Sequence, residues 1–190
     1  MTMSSAAPAA TTTALDRLDG IGFPTRRDEA WRYAPHRLLG ELTFGHSEPP
    51  GADALAAVDL DARLPSLDGP RIVVVGGVFD RERSRLADVA GVSISPLVEA
   101  AADGHPAARA HLDRPDERVP DAYVALNVAY GTDGVMVAVA ADTVVDRPIH
   151  VVDIAVGGGA ANTSSTGVVV DVGAGSSVTI IESRIGIGDE

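Results

Sequence analysis

From Gly134 onward the chain offers four short runs suited to β-strands, and no helical pattern lies between them. Val135, Val137 and Val139 alternate with Met136, Ala138 and Ala140, so both faces of that run are apolar and both must be covered. Ile149 to Val156, Gly167 to Val172 and Ser177 to Ser183 follow, separated by turn residues including Gly, Asp and Asn. A βαβ sheet needs a helix of about 10–15 residues between strands, and none is visible. Two architectures satisfy this pattern, an antiparallel sandwich and a β-solenoid, and periodicity alone leaves both open.

The residues ahead of that region read differently. Residues 1–13, MTMSSAAPAATTT, are small and polar and are expected to form a disordered tail. Ala14 to Leu18 predicts a short helix stopped by Gly20 and Gly22. Thr25 after Pro24 can cap a second helix, with Asp28 and Glu29 in its first turn, Trp31 on one face and an end near Pro35. Arg37 to Leu42 suggests another helical piece, and Glu48 to Gly51 breaks the chain. Leu55 and Val58 suggest one further turn or two. Arg71 to Asp80, a β-branched run broken by Gly76 and Gly77, predicts a tight hairpin. Helices are expected over Leu97 to Asp103, Ala107 to Leu112 and Asp121 to Tyr130, the last with Ala122, Ala125, Leu126 and Ala129 on one face. The chain thus divides into a tail (1–13), a mostly helical domain with the hairpin near 71–80 (14–130), and a β region (131–190).

Composition narrows the function classes. The net charge is −12, and all 15 basic residues are Arg with no evident cluster, which argues against nucleic acid and against anionic membranes. There is no Cys, so disulfides, thiolate metal sites and a Cys nucleophile are excluded from these residues. No apolar stretch is long enough to span a bilayer and no secretion or transit signal is present, so a cytoplasmic location is expected. Aromatic residues make up only 4 %, so Val, Ile, Leu and Ala must fill the core.

No catalytic, cofactor-binding or metal-binding residue emerges. Gly173 and Gly175 begin like a dinucleotide fingerprint, but Val178 fills the third glycine position and a strand follows where a helix should open. His36, His46, His105, His111 and His150 show no i, i+4 metal pair. His150 is the one to watch, since burial among its apolar strand neighbours could shift its protonation. Asp142, Asp146, Asp153 and Asp171 read as turn formers near β corners, and no Gly-x-Ser-x-Gly elbow exists to anchor a hydrolase. Trp31 and Tyr33 are expected to anchor the N-terminal helices to each other, the competing role being a docking surface.

Five segments, in order, carry a family resemblance. Gly22 to Tyr33 (GFPTRRDEAWRY), followed by Leu38-Leu39, closely resembles the opening of the SufD branch of the SufB/SufD family. Arg71 to Phe79 is similar to that family's early hairpin, with Gly76 in place of its Asn, and Asp121 to Tyr130 resembles a family helix. Asp133 to Val139 with Arg147 to His150, and Gly173 to Glu182, resemble its first β segments, with Ser177 a mild departure. SufB proteins share the later β portion but begin differently, so the first segment favours SufD.

The resemblance implies a small N-terminal helical domain leading into a right-handed parallel β-helix, an α+β fold of which this chain would hold only the first coils. It further implies a non-catalytic scaffold in iron–sulfur cluster assembly, pairing with a SufB-like paralogue along the β-helix and working with a SufC-like ATPase. The family's proposed metal and sulfur residues lie late in the β-helix or beyond, so none is carried over here. An uncapped solenoid end would expose apolar surface, with Ile185 and Ile187 near it, and should self-associate or bind hydrophobic dye. The rival readings are a small-ligand or carbohydrate-active protein on a β-solenoid, which would want exposed aromatics, and a truncated paralogue without function.

Overall fold

The computed structural model describes residues 9–33, 44–45, 55–56, 58–113, 122–157 and 163–187. In chain order its elements are helix α1 (Ala9–Ile21), a 3₁₀ turn (Glu29–Trp31), α2 (Leu60–Arg63), strands β1 (Arg71–Val75), β2 (Val78–Arg85) and β3 (Val92–Pro96), helices α3 (Leu97–Ala102), α4 (Pro106–Leu112) and α5 (Ala122–Tyr130), then β4 (Gly131–Val139), β5 (Ile149–Val156), β6 (Ser165–Val172) and β7 (Ile180–Ile187). This is the mixed α+β class expected from the sequence.

Helix α1 begins at Ala9, inside the stretch expected to be a tail, and runs through Gly20 before Gly22 ends it at φ +71. Packing extends it. Ala14 and Leu18 bury against Ala122, Ala125, Leu126 and Ala129 of α5, where small side chains let the two helices approach closely. The helix expected after Pro24 is a single 3₁₀ turn instead. Thr25 donates its N–H and its hydroxyl to the Asp28 carboxylate (2.7 and 3.0 Å) and accepts from the Arg27 N–H (3.2 Å), closing a local turn. Trp31 packs on Tyr123 with ring centroids 4.7 Å apart, tying this turn to α5, whereas Tyr33 is 93 % exposed and anchors nothing in the core. The pieces expected at Arg37 to Leu42 and Glu48 to Gly51 lie outside the described residues.

The hairpin forms as expected. Gly76 and Gly77 take φ values of 56 and 87, which an L side chain rarely adopts, and they join β1 to β2. Strand β3 was not expected; it pairs antiparallel with β4. Beyond it the chain alternates between two sheets, with β4 and β6 in one and β5 and β7 in the other. Each strand lies parallel to the strand two places later: Val137 faces Val170 and Ile149 faces Ile180. The hairpin and β3 belong to these same sheets, which run β2-β1-β5-β7 and β3-β4-β6, and β1 is parallel to β5.

Three apolar layers result. Ile72, Val74, Val135, Val137, Val139, Val145, Ile149 and Val151 fill the space between the sheets. Val73, Val75, Val152 and Ile154 on the outer face of the first sheet are covered by Leu55, Leu60 and Leu64. Met136 on the outer face of the second lies under Leu97 of α3 and Ala108 of α4. Among the described residues no helix is long and apolar enough to cross a membrane.

Candidate functional site

The most unusual surface is the end formed by β6 and β7. Each is an eight-residue strand at the margin of its sheet, so each leaves one row of backbone N–H and C=O groups without a strand partner among the described residues. Both run in the same direction as the strands behind them. The corner between them copies the corner one round earlier: Asp142 N–H donates to Ala174 O (2.9 Å), Ser177 N–H to Thr143 O (2.9 Å), and Ser176 Oγ to Ala140 O (2.6 Å). A Cβ at Gly173 would run into the backbone of Ala140 and Ala141, so the close stacking of the corners requires glycine there. Val170 and Val172, which continue the rows of Val137 and Val139, are 37 % and 41 % exposed, forming an apolar rim at this end.

The opposite margins are built against pairing. β2 is interrupted by a bulge and bears Arg81, Glu82, Arg83 and Arg85, and β3 is five residues long and ends in Pro96. Charges, a bulge, short length and proline are the usual ways in which an edge is blunted. β6 and β7 have none of the last three.

Polar side chains clasp the last round to the one before it. His150 on β5 is 1 % exposed, and its Nε2 lies 2.8 Å from Ser183 Oγ on β7. Burial, and secondarily the positive charge of Arg71 beside it on β1, hold the His150 pKa below its ordinary value, so the ring is neutral near pH 7. Among the described residues His150 Nδ1 is buried without a hydrogen-bond partner, and no carboxylate orients the ring as the base of a nucleophilic serine would require. On the inner face Thr166 of β6 donates to Asp153 of β5 (3.0 Å), and Arg184 of β7 lies 3.8 Å from the same carboxylate.

The other sequence candidates scatter. His36 and His46 lie outside the described residues, His111 meets Gly167, and His105 stands 3.6 Å from Asp171. Among the described residues no three His, Cys, Asp or Glu side chains gather as a metal site would need. Asp142 takes a left-handed turn conformation (φ 56) at its corner. Gly173 and Gly175 also form a corner, and β7 rather than a helix follows, so no helix N-terminus awaits a phosphate. Sequence reasoning missed Ser183 as the partner of His150, since only the β5–β7 register brings the two together. It also missed the gathering of arginines on β2, whose alternate spacing at 81, 83 and 85 was the available signal.

Comparison with known proteins adds one positive finding. The family model described as SufBD protein N-terminal region matches residues 2–151 of the 190. No curated protein matches the sequence significantly.

Proposed function

The chain belongs to the SufB/SufD family, and from that membership we propose that it is a SufD-like, non-catalytic scaffold subunit in iron–sulfur cluster assembly. In this reading β4 to β7 are the first coils of a right-handed parallel β-helix. The single observation that carries it is the pair of eight-residue strands, β6 and β7, each parallel to the strand behind it and each without a further strand partner among the described residues. A solenoid coil buries its core only by stacking on a neighbour, so a surface of this kind is made to be extended. The blunted margins at β2 and β3 support the same reading, because they mark the opposite end as a start.

The partners proposed are a SufB-like paralogue, engaged through the β-helix, and a SufC-like ATPase, with no residue of this chain assigned to the latter. A cytoplasmic location goes with it.

Co-expression tests the reading. The chain should co-purify with the SufB-like and SufC-like proteins of the same system, and Glu182→Pro, which removes an N–H from the unpaired margin of β7, should weaken that association. Failure to associate with either partner at micromolar concentration would overturn the scaffold role.

A further inference from the structure

Opposite Ile72 of β1, four residues of β2, Arg81 to Ser84, stand where one would complete the ladder. Ser84 pins this bulge by accepting from the Val73 N–H (2.9 Å) and donating to Asp80 O (2.6 Å). The bulge places Arg83 and Arg85 beside α2, at the same concavity that Arg71 lines from β1. Bulges of this kind re-aim side chains, and they recur next to binding sites.

The concavity is about 310 Å³, with Asp61 on its wall and Leu55, Val58 and Leu60 as its apolar lining. Two guanidinium groups converge on one carboxylate: Asp61 accepts from Arg71 Nη1 at 2.7 Å and from Arg85 Nη2 at 2.6 Å. Arg83 is paired with Asp80 at 2.8 Å, and the Asp59 carboxylate is engaged by the Asp61 and Ala62 N–H groups of α2. Arg71 is only 8 % exposed, yet among the described residues it meets no acceptor other than Asp61. A guanidinium carries five N–H donors, and those of Arg71 that Asp61 does not use remain open to a further acceptor at the concavity. In a chain of net charge −12, three cations and two carboxylates line this small recess beside a patch of aliphatic side chains.

We propose that this recess binds a small oxyanion, a carboxylate or phosphate on a short carbon skeleton, with Arg71, Arg83 and Arg85 as its donors. Guanidinium matches both anions by paired N–H donors, and the volume lies at the small end for ligand sites. Asp61 holds Arg71 and Arg85 in place. Its own pKa is lowered, first by the hydrogen bond from Arg85 and then by that from Arg71, as expected for a carboxylate held between two guanidinium groups. The ligand contacts the N–H groups that Asp61 does not use, and its carbon skeleton lies on Leu55 and Leu60.

The test is a titration of the full chain with inorganic phosphate and, separately, with succinate, followed by the arginine Nε–H resonances. Sodium chloride holds ionic strength constant and serves as the control. A saturable shift of the Arg71 signal is expected with at least one probe. The double variant Arg83→Gln/Arg85→Gln should weaken it about tenfold or more, since charge-assisted donors are lost. Both substitutions lie outside the apolar core, and an unchanged amide spectrum will verify the fold. Saturation by phosphate alone supports a phosphate ligand, by succinate alone a carboxylate, and by both the shared oxyanion chemistry. Saturation by neither probe, or saturation indifferent to the double variant, overturns the proposal.

Discussion

The round made by β4 and β5 and the round made by β6 and β7 share a register and a direction, yet differ sharply in burial. Val137 is 0 % exposed and its partner Val170 is 37 %; Val139 is 4 % and its partner Val172 is 41 %. Ile149 is fully buried, and the identical residue one round later, Ile180, is only partly so. At these three matched positions the residue type does not change, although elsewhere Val151 and Val152 give way to Glu182 and Ser183. What changes is the neighbour on the far side: β4 lies between β3 and β6, and β5 between β1 and β7, while among the described residues β6 and β7 each have one neighbour. In this fold burial belongs to a strand's place in the stack more than to its own sequence.

Truncating the matched isoleucines tests that statement most severely. Ile149→Ala should cost about 3 kcal/mol and Ile180→Ala about 1 kcal/mol in chemical denaturation, since the first leaves a closed cavity and the second opens to solvent. Equal losses would break the comparison, because they would mean that β7 is covered in solution. Glycine positions sharpen it further. Gly173→Ala should cost about 2 kcal/mol, as its Cβ would collide with the stacked corner at Ala140 and Ala141. Gly186→Ala, with nothing within 4 Å, should stay within about 0.5 kcal/mol of the parent.

The His150–Ser183 clasp gives the junction between the rounds a pH dependence. The folded-state pKa is lowered, so the unfolded chain takes up the proton first as pH falls below the ordinary value of 6.5. The contribution is therefore complete above that value and is lost on acidification towards the folded-state pKa. The loss is at most about 1.4 kcal/mol per pH unit. His150→Gln should flatten this slope between pH 7.5 and 5.5, and an unchanged slope would show that other groups set it. The smallest effect belongs to the rim. Val170→Thr should shift stability by less than about 0.5 kcal/mol, yet reduce hydrophobic-dye binding and light-scattering mass if the rim is what makes the chain self-associate. A clean monomer without dye response in the parent would contradict an exposed apolar end.

What could be read in advance depended on how far each signal reaches along the chain. The Gly76-Gly77 turn, the apolar face of α5 and the doubly apolar β4 are local and legible, because turn chemistry and periodicity act over a few residues. β3 was not, since Val92 to Pro96 carries two serines and a proline and becomes a strand only by pairing with β4, about 40 residues away. The extent of α1 was misjudged because Gly20 reads as a stop, whereas packing of Ala14 and Leu18 on α5 outweighs its roughly 1 kcal/mol penalty. Thr25 and Asp28 looked like helix-start residues, and their side chains spend that capacity on each other. His150 was singled out correctly as a histidine to watch. Ser183, Arg71 and the β2 arginines acquire their roles only through strand register.

The parallel pairing of β1 with β5 has a consequence for how such a molecule can change over generations. Because a hairpin strand fills the place beside β5, rounds added or removed on the β6–β7 side of the proposed β-helix need not disturb β1, β3 or the helices behind them. In the proposed β-helix, length would thus be a variable with a fixed origin.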